Sequence, residues 1–184
     1  MAMDQIMLDL ECLDSNASTA AIVSIGAVYF DLEKYELGET FYKEISLKGL
    51  QEQLNKGRTL SLPTMQWWMC QSDEARSVFV SNGNTKICPT TMLHEFAGFC
   101  SKTANVKVWG NGVDYDNICL RTLYQLYNIA CPWSYSHNRC YRTLKNINGH
   151  RAALERVGTH HNALADAETQ AIHLLAMLEP KKNK

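Results

Sequence analysis

The sequence predicts an α/β domain whose mixed five-stranded sheet, three antiparallel strands followed by two parallel ones, is flanked by helices. Three observations predict this class: apolar, β-branched runs at the start, helical patterns in the middle, and alternating strand and helix patterns from residue 106 onward. A length of 184 residues fits one domain. We assign the domain to residues 1–180 and a short basic tail to residues 181–184.

The first three strands come from the opening segment. Residues 6–10 and 20–30 are apolar runs typical of buried strands, and residues 40–45 alternate apolar and polar side chains. The turn-rich DLEKYELG before the third run predicts a hairpin.

Helices and two further strands follow. Pro63 is well placed to begin a helix, and residues 72–80 and 89–102 have helical patterns separated by the loop SNGNT. A fourth strand at 106–109 leads through GNGVD into a helix at 115–129, and a fifth strand is expected at 134–139. The apolar stripe of residues 163–178 predicts a long final helix.

Charge and cysteine content narrow the class of protein. The 18 basic and 19 acidic side chains give a net charge of −1, whereas proteins that coat nucleic acid usually carry a basic excess. The seven cysteines include no C-x-x-C pair, which argues against a zinc knuckle or a disulfide framework. No stretch approaches the roughly 18 apolar residues of a membrane span, and no signal peptide is recognisable. We therefore expect a cytoplasmic protein without a membrane partner.

Two acids lie in the first strand. Asp9 and Glu11 are two positions apart, and because side chains alternate across a strand, both point to the same face. Charges within an apolar strand are costly unless something compensates them. Taken alone, the pair also fits a strand whose exposed end is Asp9, with Glu11 in the loop.

A third acid follows the fourth strand. Asp116 shares a helical face with Leu120 and Leu123, which should pack on the sheet, so its carboxylate points toward the end of the sheet. Asp114 lies where an N-cap aspartate would lie. We assign the functional role to Asp116 and the capping role to Asp114.

His161 and Asp166 open the last helix. Five positions separate them, which on a regular helix would place them far apart around the axis. They converge only if His161 lies in the preceding loop, Asn162 caps the helix, and Asp166 lies in its first turns. Taken alone, the motif equally fits an ordinary capped helix with a surface histidine.

The ordered set of acids resembles the DEDD, or DnaQ-like, exonuclease superfamily, whose fold is RNase H-like. The resemblance runs from Asp9 to about Gln170, and a histidine five positions before the last aspartate is typical of the DEDDh class. The segments VWGNGVDYDN, TMQWWMCQSDEAR and CYRTLK are similar to segments of exonuclease VIII-like and phage DexA-like enzymes, which are phage and bacterial. Those enzymes usually carry a small residue where this chain has Asp114.

The resemblance implies a 3′–5′ exonuclease that hydrolyses the 3′ end of single-stranded DNA or RNA with two divalent cations. Carboxylate ligands favour Mg²⁺ or Mn²⁺ over zinc. By the same resemblance Asp9 bridges both cations, and Glu11 and Asp166 hold the one that activates water. Asp116 holds the one at the leaving oxygen, and His161 removes a proton from the water.

Substrate contacts are expected from base-stacking tryptophans and a basic rim: Trp68, Trp109, Arg139, Arg142 and Lys145. Trp67 and Trp68 are neighbours on a helix, so at most one of them can face the substrate fully. Two alternatives are a proofreading subunit of a polymerase and a protein that binds strand ends without cutting. The sequence leaves open the choice between DNA and RNA and the oligomeric state, for which a homodimer is a candidate.

Overall fold

The computed structural model describes residues 3–80 and 86–180. Its first three strands, β1 (Gln5–Cys12), β2 (Ile22–Asp31) and β3 (Glu36–Ile45), pair antiparallel in chain order. Two later strands are parallel to β1: β5 (Lys107–Gly110) pairs with β1 itself, and β6 (Asn138–Cys140) pairs with β5. The predicted class, a mixed sheet of antiparallel and then parallel strands, is confirmed.

The predicted count of five strands is wrong by one. A two-residue strand, β4 (Lys86–Ile87), pairs parallel with the end of β3, which gives the sheet order β4-β3-β2-β1-β5-β6. Two residues are too few to carry a period-2 pattern. The strand expected at 134–139 begins only at Asn138, after a 3₁₀ turn. The predicted loop at 81–85 and the tail at 181–184 lie outside the described residues.

Within the described ranges, seven α-helices surround the sheet. They are α1 (Leu47–Asn55), α2 (Leu62–Met69), α3 (Asp73–Val80), α4 (Pro89–Cys100), α5 (Asp116–Leu126), α6 (Tyr141–Asn148) and α7 (Ala163–Leu178). Proline occupies the first turn of α2 and α4, where its missing N–H has no helical partner to lose. The final helix has the predicted bounds.

Helices cover both faces of the sheet. Leu8 and Leu10 of β1 pack into the core formed with α4 and α5, whereas Met7 packs into a second core with α6 and α7. β2 is buried along its whole length, which explains its continuous apolar sequence. Asp9 and Glu11 follow Met7 in the period-2 register, so both lie on the α7 face.

Two further findings concern the whole described chain. All seven cysteines are free thiols. Within residues 3–80 and 86–180, no helix combines the length and apolar character needed to cross a bilayer.

Candidate active site

The acids singled out in the sequence line one recess of about 280 Å³ at the end of β1. Asp9, Glu11, Asp116 and Asp166 all border it, together with His161. Carboxylate oxygens of Asp9, Glu11 and Asp166 lie within 4.8 Å of one another. Three distant stretches of chain thus bring their charges to one place.

A close contact between α7 and the sheet places Asp166 over β1. Gly26 of β2 pairs with Asp9, and the start of α7 lies directly on this glycine. A Cβ atom at Gly26 would be 2.1 Å from backbone atoms of Ala163 and Leu164. Only glycine permits this approach, and the first turn of α7 therefore carries Asp166 to the acids of β1.

Asp116 reaches the recess because α5 begins directly against the end of β5. A Cβ atom at Gly110, the last residue of β5, would be 2.4 Å from Oδ1 of Asn117 and 3.2 Å from Cβ of Asp116. The capping role predicted for Asp114 is wrong. Tyr115 holds the N-cap position without a side-chain hydrogen bond, and Asp114 is exposed to solvent.

His161 lies in the loop directly before α7, the position that convergence with Asp166 requires. Asn162 caps the helix by accepting hydrogen bonds from two backbone N–H groups of the first turn, at 3.2 and 3.1 Å. The backbone of His161 is left-handed, with φ of 62°, which is unusual outside glycine. Its N–H donates to Oδ2 of Asp166 at 2.9 Å, so the strained turn and the acid hold each other in place.

Two aromatic neighbours flank the imidazole of His161. Trp67 meets it edge-on with ring centroids 4.6 Å apart, and His160 stacks on it at 3.7 Å. The structure corrects the substrate role expected for Trp68, which is only 2% exposed and donates from Nε1 to the carbonyl oxygen of Cys12. Trp67 is 42% exposed and is the indole of this pair that borders the site.

Two other expected substrate contacts lie away from the recess. Trp109 packs against the core that β1 forms with α6 and α7, and its ring lies 6.2 Å from that of Phe30. Its position on β5 faces this core and not the end of the sheet. Arg139 donates to carbonyl oxygens of its own turn. Arg142 and Lys145 of α6 do line the recess.

Sequence reasoning missed two side chains that bind the site acids. Gln170 donates from Nε2 to Oδ1 of Asp9 at 2.8 Å, and its position four residues after Asp166 is a helical-face signal that identifies it. Arg156 donates to Oδ1 of Asp166 at 3.0 Å. Arg156 lies in the aperiodic loop before α7, where no sequence signal points to it.

The crowded acids resist ionisation. Burial, followed by the charges of Asp116, Glu11 and Asp166, raises the pKa of Asp9 well above its ordinary value. Burial and the charges of Asp166 and Asp116 raise the pKa of Glu11 to about 8, and burial raises the pKa of Asp116 to about 7. Bound cations relieve such repulsion, and a donor set of carboxylate oxygens fits a hard divalent cation.

The fold and this arrangement of acids and histidine define a nuclease of the DEDDh class. Residues 4–178 match the family described as the 3'-5' exoribonuclease Rv2179c-like domain. The chain belongs to this family and is a hydrolytic 3′–5′ exonuclease that acts on nucleic acid. DEDDh nucleases use divalent metal ions, in agreement with the donor set in the recess.

Solved structures share the fold at low sequence identity. The nuclease domain of 3'hExo, a DEDDh family member bound to rAMP, is 13% identical with a TM-score of 0.60, over 95% of this chain and 90% of that one. E. coli exonuclease I in complex with a dT13 oligonucleotide is 12% identical with a TM-score of 0.59, over 91% of this chain but only 39% of that one. Cell-death related nuclease 4 (CRN-4) is 15% identical with a TM-score of 0.57, over 94% and 62%. These likenesses show the RNase H-like fold, and no curated protein sequence matches.

Proposed function

We propose that the chain removes nucleotides from the 3′ end of single-stranded RNA, with two Mg²⁺ or Mn²⁺ ions held by Asp9, Glu11, Asp116 and Asp166. The observation that carries the proposal is the recess, in which three of these carboxylates approach within 4.8 Å. The family description names an exoribonuclease, which supports RNA. A related structure that holds a dT13 strand supports a single-stranded substrate.

Hydrogen bonds within the chain hold the site carboxylates close together and fix their orientation. Gln170 orients Asp9 through Oδ1, and the N–H of His161 orients Asp166 through Oδ2. In the cation-free chain the guanidinium of Arg156 occupies the other oxygen of Asp166. When bound, paired divalent cations neutralise the acids and stabilise the charge that develops in an in-line phosphoryl displacement. The oxygen-only donor set supports Mg²⁺ or Mn²⁺ as those cations.

His161 is the residue we assign as general base. Burial, followed by the neighbouring charge of His160, lowers the pKa of His161 below its ordinary value. Its imidazole is therefore largely neutral at pH 7 and has a lone pair available for the proton of the attacking water. The edge contact from Trp67 limits the positions that the ring can take.

Positive charge at the rim suits a phosphate backbone. Arg142, Lys145 and Arg156 line the recess beside the acids, although the whole chain has a net charge of −1. Local cations of this kind are enough to position the phosphates of one strand end.

The test uses matched single-stranded RNA and DNA oligonucleotides that carry a label at the 5′ end. With Mn²⁺ we expect a ladder that shortens from the 3′ end, faster for RNA than for DNA, and no cleavage in EDTA. Asp9→Asn should abolish cleavage while circular dichroism remains unchanged. Asp114→Asn, which alters an exposed acid outside the recess, should remain active. Activity in Asp9→Asn would overturn the site, and faster cleavage of DNA would overturn the RNA preference.

The proposal extends to the cellular location and the oligomeric state of the protein. The free thiols support a reducing, cytoplasmic location, which fractionation of the source cells tests. A homodimer is the oligomeric state that we propose, and size-exclusion chromatography with light scattering tests it.

A further inference from the structure

A second set of potential metal ligands lies at the rim of the recess and differs in chemistry from the carboxylates. A ring nitrogen of His160, a ring nitrogen of His161 and a carboxylate oxygen of Asp166 lie within 4.8 Å of one another. His160 is exposed, and its ring stacks on that of His161 with an interplanar angle of 26°. The proposed reaction has no use for His160.

The donor types distinguish the two sets. Two imidazoles and one carboxylate form a ligand set typical of zinc, which is often held by three protein ligands with a fourth position open. Imidazole nitrogen also favours Zn²⁺ over Mg²⁺ or Mn²⁺, which prefer oxygen. The set of Asp9, Glu11 and Asp166 offers only oxygen.

We propose that His160, His161 and Asp166 form a Zn²⁺ site whose occupation inhibits the nuclease. A Zn²⁺ ion on His161 takes the nitrogen lone pair that would accept the proton from water. The same ion recruits Asp166, which belongs to both sets, and so withdraws one ligand from the oxygen site. The inhibitory part rests on the proposed function, whereas the binding part does not.

Local structure supports the assignment because two of the three ligands are already fixed. The backbone N–H of His161 holds Asp166 at 2.9 Å, and the cap of α7 fixes the turn between them. His160 is exposed and can adjust without disturbing the core. The guanidinium of Arg156, which binds Oδ1 of Asp166 and is 48% exposed, can turn to solvent when a cation arrives.

Binding is measured without nucleic acid on the full chain, with Zn²⁺ in calorimetry and Co²⁺ as a spectroscopic probe. Cys70 and Cys88 are exposed thiols that also bind these metals, so both are changed to serine in every protein compared. Serine suits position 88, which is the N-cap of α4. The variants are His160→Ala and His160→Asn, with His94→Ala as the control. His94 is an exposed histidine on α4, which packs on the opposite face of the sheet from α7.

We expect both His160 variants to bind Zn²⁺ at least about tenfold more weakly and to lose the visible absorption of Co²⁺ in a nitrogen-ligated site. The His94→Ala control should match the parent protein. Equal Zn²⁺ affinity in the parent, the two His160 variants and the His94→Ala control would overturn the site. Thermal unfolding of each variant checks that the fold is intact.

Inhibition is measured by adding Zn²⁺ to the Mn²⁺-driven cleavage of a labelled strand, with each protein compared with its own zinc-free rate. The His160 variants should need at least about tenfold more Zn²⁺ for half-inhibition. Unchanged inhibition together with weakened binding would overturn the inhibitory role. A protein inactive with every metal would count against the proposed function, and the Co²⁺ spectrum would still decide the binding site.

Discussion

Replacement of Glu11 by glutamine should stabilise the cation-free protein at neutral pH. The pKa of Glu11 is raised from 4.5 to about 8 by burial and by the charges of Asp166 and Asp116. The folded chain therefore binds more protons than the unfolded chain between about pH 4.5 and 8, and the free energy of unfolding falls as the pH rises through that window. At pH 7 the free energy of unfolding is lower by roughly 3 kcal/mol than at acidic pH, since each unit of pKa difference corresponds to about 1.36 kcal/mol. This loss is the penalty for keeping Glu11 protonated in the folded chain.

The glutamine variant lacks the ionisable group and should escape the penalty. For a chain of this length we expect the melting temperature in EDTA to rise by about 5 °C or more at pH 7, and by much less at pH 5, where the penalty is small. Circular dichroism melts at the two pH values measure the change. Glu33→Gln, which removes an exposed acid of the β2–β3 turn, is the matched control.

Two outcomes would refute this reasoning: a lower melting temperature for Glu11→Gln at pH 7, or an equal gain at pH 5 and pH 7. Saturating Mn²⁺ provides a second comparison. The wild-type protein has one more cation ligand than Glu11→Gln, so the cation should stabilise it more. The difference in melting temperature between the two proteins should therefore shrink or change sign.

Three further changes test separate parts of the site. His161→Ala should slow cleavage on the order of 10²-fold or more while Mn²⁺ affinity in calorimetry is kept; a rate within a few-fold of wild type would remove it as the base. Arg156→Ala should tighten Mn²⁺ binding in the absence of nucleic acid, because the guanidinium no longer competes for Asp166, and should raise the KM for the strand; weaker Mn²⁺ binding would contradict this. Gly26→Ala should destabilise the fold by at least about 2 kcal/mol in urea unfolding, since its Cβ would strike the backbone of α7, whereas Gly98→Ala, whose Cβ meets nothing within 4 Å, should not.

The central strands could be predicted from sequence because burial on both faces leaves a continuous apolar run. All ten residues of β2 are buried, and all except Ser24 and Asp31 are apolar or glycine. The edge of the sheet could not be predicted in the same way, since β4 has two residues and β6 has three, all of them only partly buried. Short, half-exposed strands are defined by their pairing partners rather than by their own side chains.

The meeting of the site acids could be predicted because Asp9 and Glu11 are charges within an apolar strand and the other two acids each open a helix. Asp116 begins α5 and Asp166 lies in the first turn of α7. The substrate contacts could not be predicted from the sequence, because tertiary packing decides which side of a helix faces the recess. Trp67 and Trp68 are adjacent in sequence, yet one is half-exposed and the other buried, and no periodicity in the eight residues of α2 distinguishes them.

The hydrogen bond from Gln170 to Asp9 joins positions 161 residues apart, and it has a consequence for biosynthesis. The opening strand leaves the ribosome early, but its acids acquire their partners only after the last helix has emerged and docked. The acid cluster is therefore incomplete until residues 163–170 have been synthesised and have packed on β1. A frameshift or premature stop upstream of residue 163 removes Asp166 and Gln170, and the resulting fragment should have no nuclease activity.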